Sequence, residues 1–240
     1  MAVSTRMIGI RFSDRRHSPR MAFTLVEMLV VLSIIGILIA LIFPLVSAAK
    51  TRAMFTSARA ELEQIQTAIE DYHAKYQFYP PDNPNNSAIN QLYFELEGTV
   101  LVNGVYQTLD GSGQIAVTDL SAVFSPTVTG LRNSSTDRKS EEGSQAVNFL
   151  KASLRPNQIG QLKTPSGFVN APLLLCSAKW PDVASQPVPV PPALANGFNP
   201  WRYVSTAPTN NPKGFDLWID ILVRGKTNRI CNWRREPQIL

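Results

Sequence analysis

Few side chains in this 240-residue sequence have the types and spacings that do covalent chemistry. Of the two histidines, only His73 lies outside the basic N-terminal stretch. A Ser-His-Asp or Cys-His site would have to use it, and no nucleophile motif accompanies it. The sequence contains no P-loop, no GxGxxG and no HExxH. Acids occur in pairs, Glu61/Glu63, Glu70/Asp71 and Glu141/Glu142. They fall on a helix face or in a polar loop, where solvation rather than catalysis is the better reading. Cys176 and Cys231 have neither a CxxC spacing nor a neighbouring His, which excludes a zinc ribbon and a thioredoxin-type pair. Outside the cytoplasm they are allowed one disulfide; the alternative is two separate buried thiols, and spacing leaves both open. These residues point away from an enzyme. The unusual one is Glu27, a single carboxylate near the start of the apolar run PRMAFTLVEMLVVLSIIGILIALIFPLV, Pro19 to Val46.

The element that must carry Glu27 is a helix. Met28 to Val46 is 19 residues without a charge, roughly 28 Å of helix, close to the hydrocarbon thickness of a bilayer. Residues 1–22 hold Arg6, Arg11, Arg15, Arg16 and Arg20 against Asp14, so of the net charge of +5 only about +1 belongs to the rest of the chain. A basic end beside an apolar run reads as membrane topology rather than a nucleic-acid face, and no nucleic-acid partner is expected. The same charge bias puts the N-terminus in the cytoplasm; Lys50 and Arg52 on the far side are outnumbered two to five. One reading is a plain signal anchor. Another is a cleaved secretory signal, with Val46 and Ala48 suiting a signal peptidase and Arg15-Arg16 hinting at a twin-arginine address. Against release, the run exceeds the usual 7–15 residues of a signal's apolar region, and a signal has no use for Glu27.

A third reading accounts for Glu27. MAFTLVEMLVVLSIIGILIALIFP, beginning at Met21, resembles the N-terminal signature of type IV prepilins and type II secretion pseudopilins. The resemblance implies cytoplasmic cleavage between Ala22 and Phe23 by a prepilin peptidase, N-methylation of Phe23, and a role in assembly for Glu27, the fifth mature residue. Glu27 would then pair with the N-terminal amine of a neighbouring subunit inside an apolar filament core, acting as a register device more than as a source of net stability. Gly36 and Pro44 stand where the family often has helix-weakening residues, and Pro44 predicts a kink or local melting near Ala40–Pro44. The sequence departs from the family at Ala22, where Gly is usual.

Beyond Ser47 the helix is expected to continue. Phe55, Ala58, Leu62, Ile65, Ile69, Tyr72 and Tyr76 form one apolar stripe that predicts packing on the helix's own domain, and FYPPDNPNN stops the helix near Gln77. NQLYFELEG reads as a short helix and TVLVNGVYQTL as a hairpin turning at Asn103-Gly104. SQAVNFLKASL reads as a helix capped by Ser144, and PVPVPP as an extended connector. NPWRYVST and GFDLWIDILV read as strands. AIEDYHAKYQFYPPD, Pro200-Trp201, Phe215-Asp216, Trp218 and Asn232-Trp233 also resemble the major pseudopilin of type II secretion. That family binds calcium in an acidic loop before the Asn-Trp. Here the loop holds Arg224, Lys226 and Arg229 with no carboxylate, and Asp216 and Asp220 alone make a poor site, so the calcium site is expected to be absent or moved and no cofactor is implied.

The expected fold is α+β: a long N-terminal helix, transmembrane in its first half and amphipathic in its second, packed on a small antiparallel sheet head. The expected division is a leader at 1–22, a membrane or filament-core helix at 23–46, an amphipathic continuation at 47–77, and an extracytoplasmic head at 78–240 with an insertion at about 86–197. The resemblance implies a non-enzymatic filament subunit of a pseudopilus. Its partners would be the prepilin peptidase and methyltransferase, other pilin or pseudopilin subunits, and an inner-membrane assembly platform. It would sit in the inner membrane with a periplasmic head before extraction into a filament. The alternative is a signal-anchored or secreted binding or hydrolytic domain.

Overall fold

The structure is a computed structural model. It describes residues 24–136, 145–151, 154–162, 171–181 and 197–240, and leaves the side chains of 41–47 undescribed. The chain divides into two units, Met1–Ala48 and Ala49–Leu240. One helix, α1 (Leu25–Tyr76, 52 residues), begins in the first and ends in the second. Its helical assignment is unbroken through Gly36 and Pro44.

The transmembrane character expected of the first half of α1 is a correction. Among the described residues, no helix is long and apolar enough to cross a membrane. Glu27 and Ser33 interrupt the apolar stretch that starts at Leu25, and polar groups oppose burial in hydrocarbon.

In the second unit the apolar stripe does what its spacing dictates. Ala58, Leu62, Ile65, Ile69 and Tyr72 are buried, with Phe55 and Tyr76 packed at the edge of the same core. Each large side chain buried this way contributes roughly 1.5–3 kcal/mol. Gln77 terminates α1 in a left-handed conformation (φ 64°). Its N–H donates to the His73 carbonyl at 2.8 Å, and Pro80-Pro81 follow.

The head is not one small antiparallel sheet. A four-stranded antiparallel sheet, in the order β10-β9-β8-β7, is built from β7 (Arg202–Val204), β8 (Asp216–Val223), β9 (Lys226–Cys231) and β10 (Arg234–Ile239). Leu217, Ile219 and Ile221 alternate along β8 to meet the α1 stripe, as period-two side chains must. A second four-stranded sheet, β3-β2-β1-β4, contains the hairpin β1 (Thr99–Val102) and β2 (Val105–Thr108), with β3 (Gln114–Ala116) and β4 (Ser134–Ser135). The hairpin turns through Asn103 (φ 50°) and Gly104 (φ 77°), the paired left-handed conformations of a type I′ turn. β4 pairs with β1 in parallel. A two-stranded ladder joins β5 (Ile159–Leu162) to β6 (Ala171–Leu174).

The stretch between these parts is integrated into the interior rather than appended. Helix α2 (Leu92–Glu97) puts Leu92, Tyr93 and Leu96 into the core with α1. It turns Phe94 into a second core with Tyr106, Ile115, Leu120 and Phe124. The expected helix after Ser144 is corrected: 145–151 has no helical structure. Its backbone is used elsewhere, with Phe149 N–H donating to the Leu96 carbonyl at 2.8 Å. The PVPVPP segment lies outside the described residues.

Candidate functional site

Ala22 and Phe23 lie outside the described residues. The description starts at Thr24, and there Glu27 has a local job. The Thr24 N–H and hydroxyl both donate to Glu27 Oε2, at 2.7 and 2.8 Å. The Glu27 N–H donates back to Thr24 Oγ1 at 3.2 Å. This is a capping box, which satisfies donors at a helix start that would otherwise lack partners. The pattern Thr-x-x-Glu before an apolar run is visible in the sequence. Beyond the cap, large apolar side chains are exposed all around the helix: Leu25 is 81% exposed, Leu32 67% and Ile37 62%. Gly36 is on the same stretch, and a Cβ there would meet nothing within 4 Å. A helix that is apolar on every side has to be covered by something apolar.

The second half of α1 is fastened to the head by its polar residues as well as its stripe. Arg59 donates to three carbonyls: Cys231 at 2.7 Å, Arg234 at 2.9 Å and Arg235 at 2.8 Å. Glu61, expected on a solvated face, is buried and accepts from Ser177 N–H at 3.0 Å. His73 stacks on Tyr79 at 4.2 Å between ring centroids.

Near its end, α1 reaches a buried polar network that no sequence pattern announces. Glu95 is fully buried and accepts from Arg132 N–H (2.8 Å), Asn133 N–H (2.9 Å) and Tyr72 hydroxyl (3.0 Å). Burial raises its carboxyl above the ordinary range, and those hydrogen bonds oppose the rise. Asn133 donates to the carbonyls of Glu95 (2.7 Å) and Val147 (2.6 Å). It accepts from Tyr76 hydroxyl (2.8 Å) and Val147 N–H (2.9 Å). Gly98 sits against this network with φ 80°, where a Cβ would come within 2.9 Å of the Val147 carbonyl oxygen.

Glu97, two residues beyond Glu95, accepts from Asn148 Nδ2 at 2.7 Å. Burial, with the charge of Asp110 added, raises its carboxyl to about 7. Burial would raise Asp110 too, but hydrogen bonds from Thr108, Ser112 and Tyr93 outweigh it and hold that carboxyl low. A carboxyl raised on folding binds its proton more tightly in the folded state. Its stabilisation is therefore complete below the unfolded value of 4.5 and is lost as pH rises through about 7. The urea midpoint should be higher near pH 5 than near pH 8. Glu97→Gln, which keeps an acceptor for Asn148, should remove most of that difference, leaving the contribution of Glu95 with the same sign.

Cys176 and Cys231 are both buried and unbonded. Burial raises both thiols, that of Cys176 well above the ordinary range, which makes them unreactive. The carboxylates that a calcium ion would need are taken. Asp216 accepts the N–H groups of Thr209, Asn210 and Asn211, each at 2.9 Å, shaping the loop before β8. Asp220 is fully buried and accepts two bonds from Arg229, at 2.8 and 3.0 Å. Arg202, also fully buried, lies next to this pair, and burial lowers its guanidinium to about 10 despite the attraction of Asp220. These residues do not fit a calcium ion. Among the described residues, no group of three or more His, Cys, Asp or Glu is placed to hold a metal. No protein-family model, curated protein or solved structure matches this chain.

Proposed function

We propose that this chain is a pilin-like structural subunit. It is processed at its N-terminus by a prepilin peptidase and assembled through the first half of α1 into a pseudopilus, most specifically one that serves type II secretion. The observation that carries this reading is the run of exposed apolar side chains from Leu25 to Ile39. A monomer in water has no means of covering it, and a bundle of equivalent helices covers it completely. The resemblance of the sequence around Phe23 and Glu27 to prepilin signatures supports this reading. Partners are further subunits, the processing enzymes and an assembly platform. Its place is the inner membrane before assembly and the periplasm afterwards, and it has no catalytic role.

Cysteine cross-linking tests the covering of α1. Ile37→Cys places an exposed thiol on the apolar stretch, while Cys176 and Cys231 are buried and do not compete. Under mild oxidation in cells that produce the whole system, disulfide-linked dimers should form through position 37. They should be absent from a variant carrying the thiol on the exposed head position Lys213. No dimer through position 37, with the chain present at normal level, would remove the basis of the proposal.

A further inference from the structure

Glu97 ends α2 where three parts of the second unit meet, and it is only 4% exposed. Its carboxylate accepts from Asn148 Nδ2, on the segment 145–151, at 2.7 Å. It also accepts from the Asp110 N–H, in the turn between β2 and β3. The influences on its ionisation are its burial, the Asp110 carboxylate and that N–H; among the described residues none is a cation. Tyr93, four residues earlier on α2, faces both carboxyls and gives its hydroxyl to Asp110 Oδ2 at 3.0 Å. A second carboxylate beside a buried one makes loss of the buried group's proton costly.

The turn that carries Asp110 is bonded within itself. Thr108 N–H donates to the Gly113 carbonyl and Gly111 N–H to the Thr108 carbonyl, both at 3.0 Å. Asp110 Oδ1 accepts from the Thr108 hydroxyl at 2.6 Å and from Ser112 N–H at 2.9 Å. Gly111 bends the chain at φ 73°, and a Cβ there would meet nothing within 4 Å. All these bonds stay inside 108–113, so they survive a movement of the turn as one body. Its ties to α2 and to Gly98 behind it are a short set. Leu109 N–H donates to the Gly98 carbonyl at 3.0 Å. The Tyr93 hydroxyl meets Asp110 and Ser112, and the Asp110 N–H meets Glu97. Asp110 itself is exposed.

We propose that the turn 109–113 is a proton-operated flap on the end of α2. With Glu97 protonated, one negative charge remains at the site and the flap stays closed. When Glu97 releases its proton to solvent, two carboxylates face each other without a cation. The flap then swings out, which separates the charges and brings water to Glu97. Glu97 holds its proton more tightly in the closed form than in the open one. Closure is therefore favoured at low pH and weakens as pH rises through about 7. The opening is local and does not require the head to unfold.

The test is amide hydrogen exchange of the full chain at pH 6 and pH 8, expressed as protection factors so that the intrinsic pH dependence of exchange cancels. The Leu109 N–H, bonded to Gly98 across the flap's edge, is the reporter, and the amides of β8 report opening of the whole head. Leu109 should be at least about a hundredfold less protected than β8. Its protection should fall about tenfold from pH 6 to pH 8. Glu97→Gln should remove that fall. Asp110→Asn, which takes away the neighbouring charge, should reduce it to about threefold. Protection of Leu109 equal to that of β8 would mean that the turn opens only with the whole head, and would overturn the proposal. So would protection of Leu109 that is the same at both pH values in the parent. A fall that persists in Glu97→Gln, or one as steep in Asp110→Asn as in the parent, also overturns it.

Discussion

Glu27→Ala should abolish assembly while leaving the head as stable as the parent. The carboxylate has two separable roles. One is local: it caps the first turn of α1 through Thr24, an exposed interaction whose loss frays only the helix start. The other is the proposed charge pairing with a neighbour's N-terminal amine. Glutamine serves in a capping box as well as glutamate does, but it carries no charge. Glu27→Gln therefore decides between the roles. Full assembly by Glu27→Gln would show that the cap is all that Glu27 provides. Failure as complete as that of Glu27→Ala would show that the charge is required. Neither substitution should move the thermal midpoint of the head, whose core begins at Met54 and Phe55. Filament yield and calorimetry of the same preparations provide the two readouts.

Asn133→Ala should destabilise the head by about 3–5 kcal/mol. Asn133 is 0% exposed, and its carboxamide uses all its main hydrogen-bonding positions on groups from three parts of the chain. Alanine leaves the carbonyls of Glu95 and Val147 and the Val147 N–H without partners in the interior. The carbonyl of Glu95 belongs to α2, Val147 to the segment that runs over it, and Tyr76 to the end of α1, so all three lose their common anchor. Tyr76→Phe removes only one of the four bonds, at a half-buried site, and should cost about 1 kcal/mol. Urea denaturation of the two variants should thus differ at least threefold in lost stability. Equal losses would mean that Asn133 acts through the Tyr76 contact alone.

What the sequence made legible, and what it did not, follows the range of the interactions. The stripe from Phe55 to Tyr76 and the hairpin at Asn103-Gly104 were readable because side-chain periodicity and turn chemistry act over a few residues. The strands at 202–204 and 216–223 were readable on the same grounds. The capping box at Thr24 and Glu27 is equally local, and Thr-x-x-Glu before an apolar run is its signature. The segment 145–151 reads as amphipathic because Val147, Phe149 and Leu150 are apolar. It is drawn out instead because its backbone serves Asn133 and Leu96, positions 14 or more residues away. The parallel contact of β4 with β1 and the burial of Glu61, Glu95 and Arg202 also rest on distant partners, which spacing cannot specify. The transmembrane expectation rests on a count of uncharged residues, and no helix among the described residues is long and apolar enough to meet it.

The N-terminal peptide of the mature chain, analysed by mass spectrometry from cells that contain the prepilin peptidase, tests the proposed function most directly. A pilin-like subunit should begin at Phe23, with a methyl group on its amine and Glu27 as its fifth residue. A chain that keeps residues 1–22, or that begins at Ala49, contradicts assembly as a processed filament subunit and leaves an anchored or secreted domain in its place.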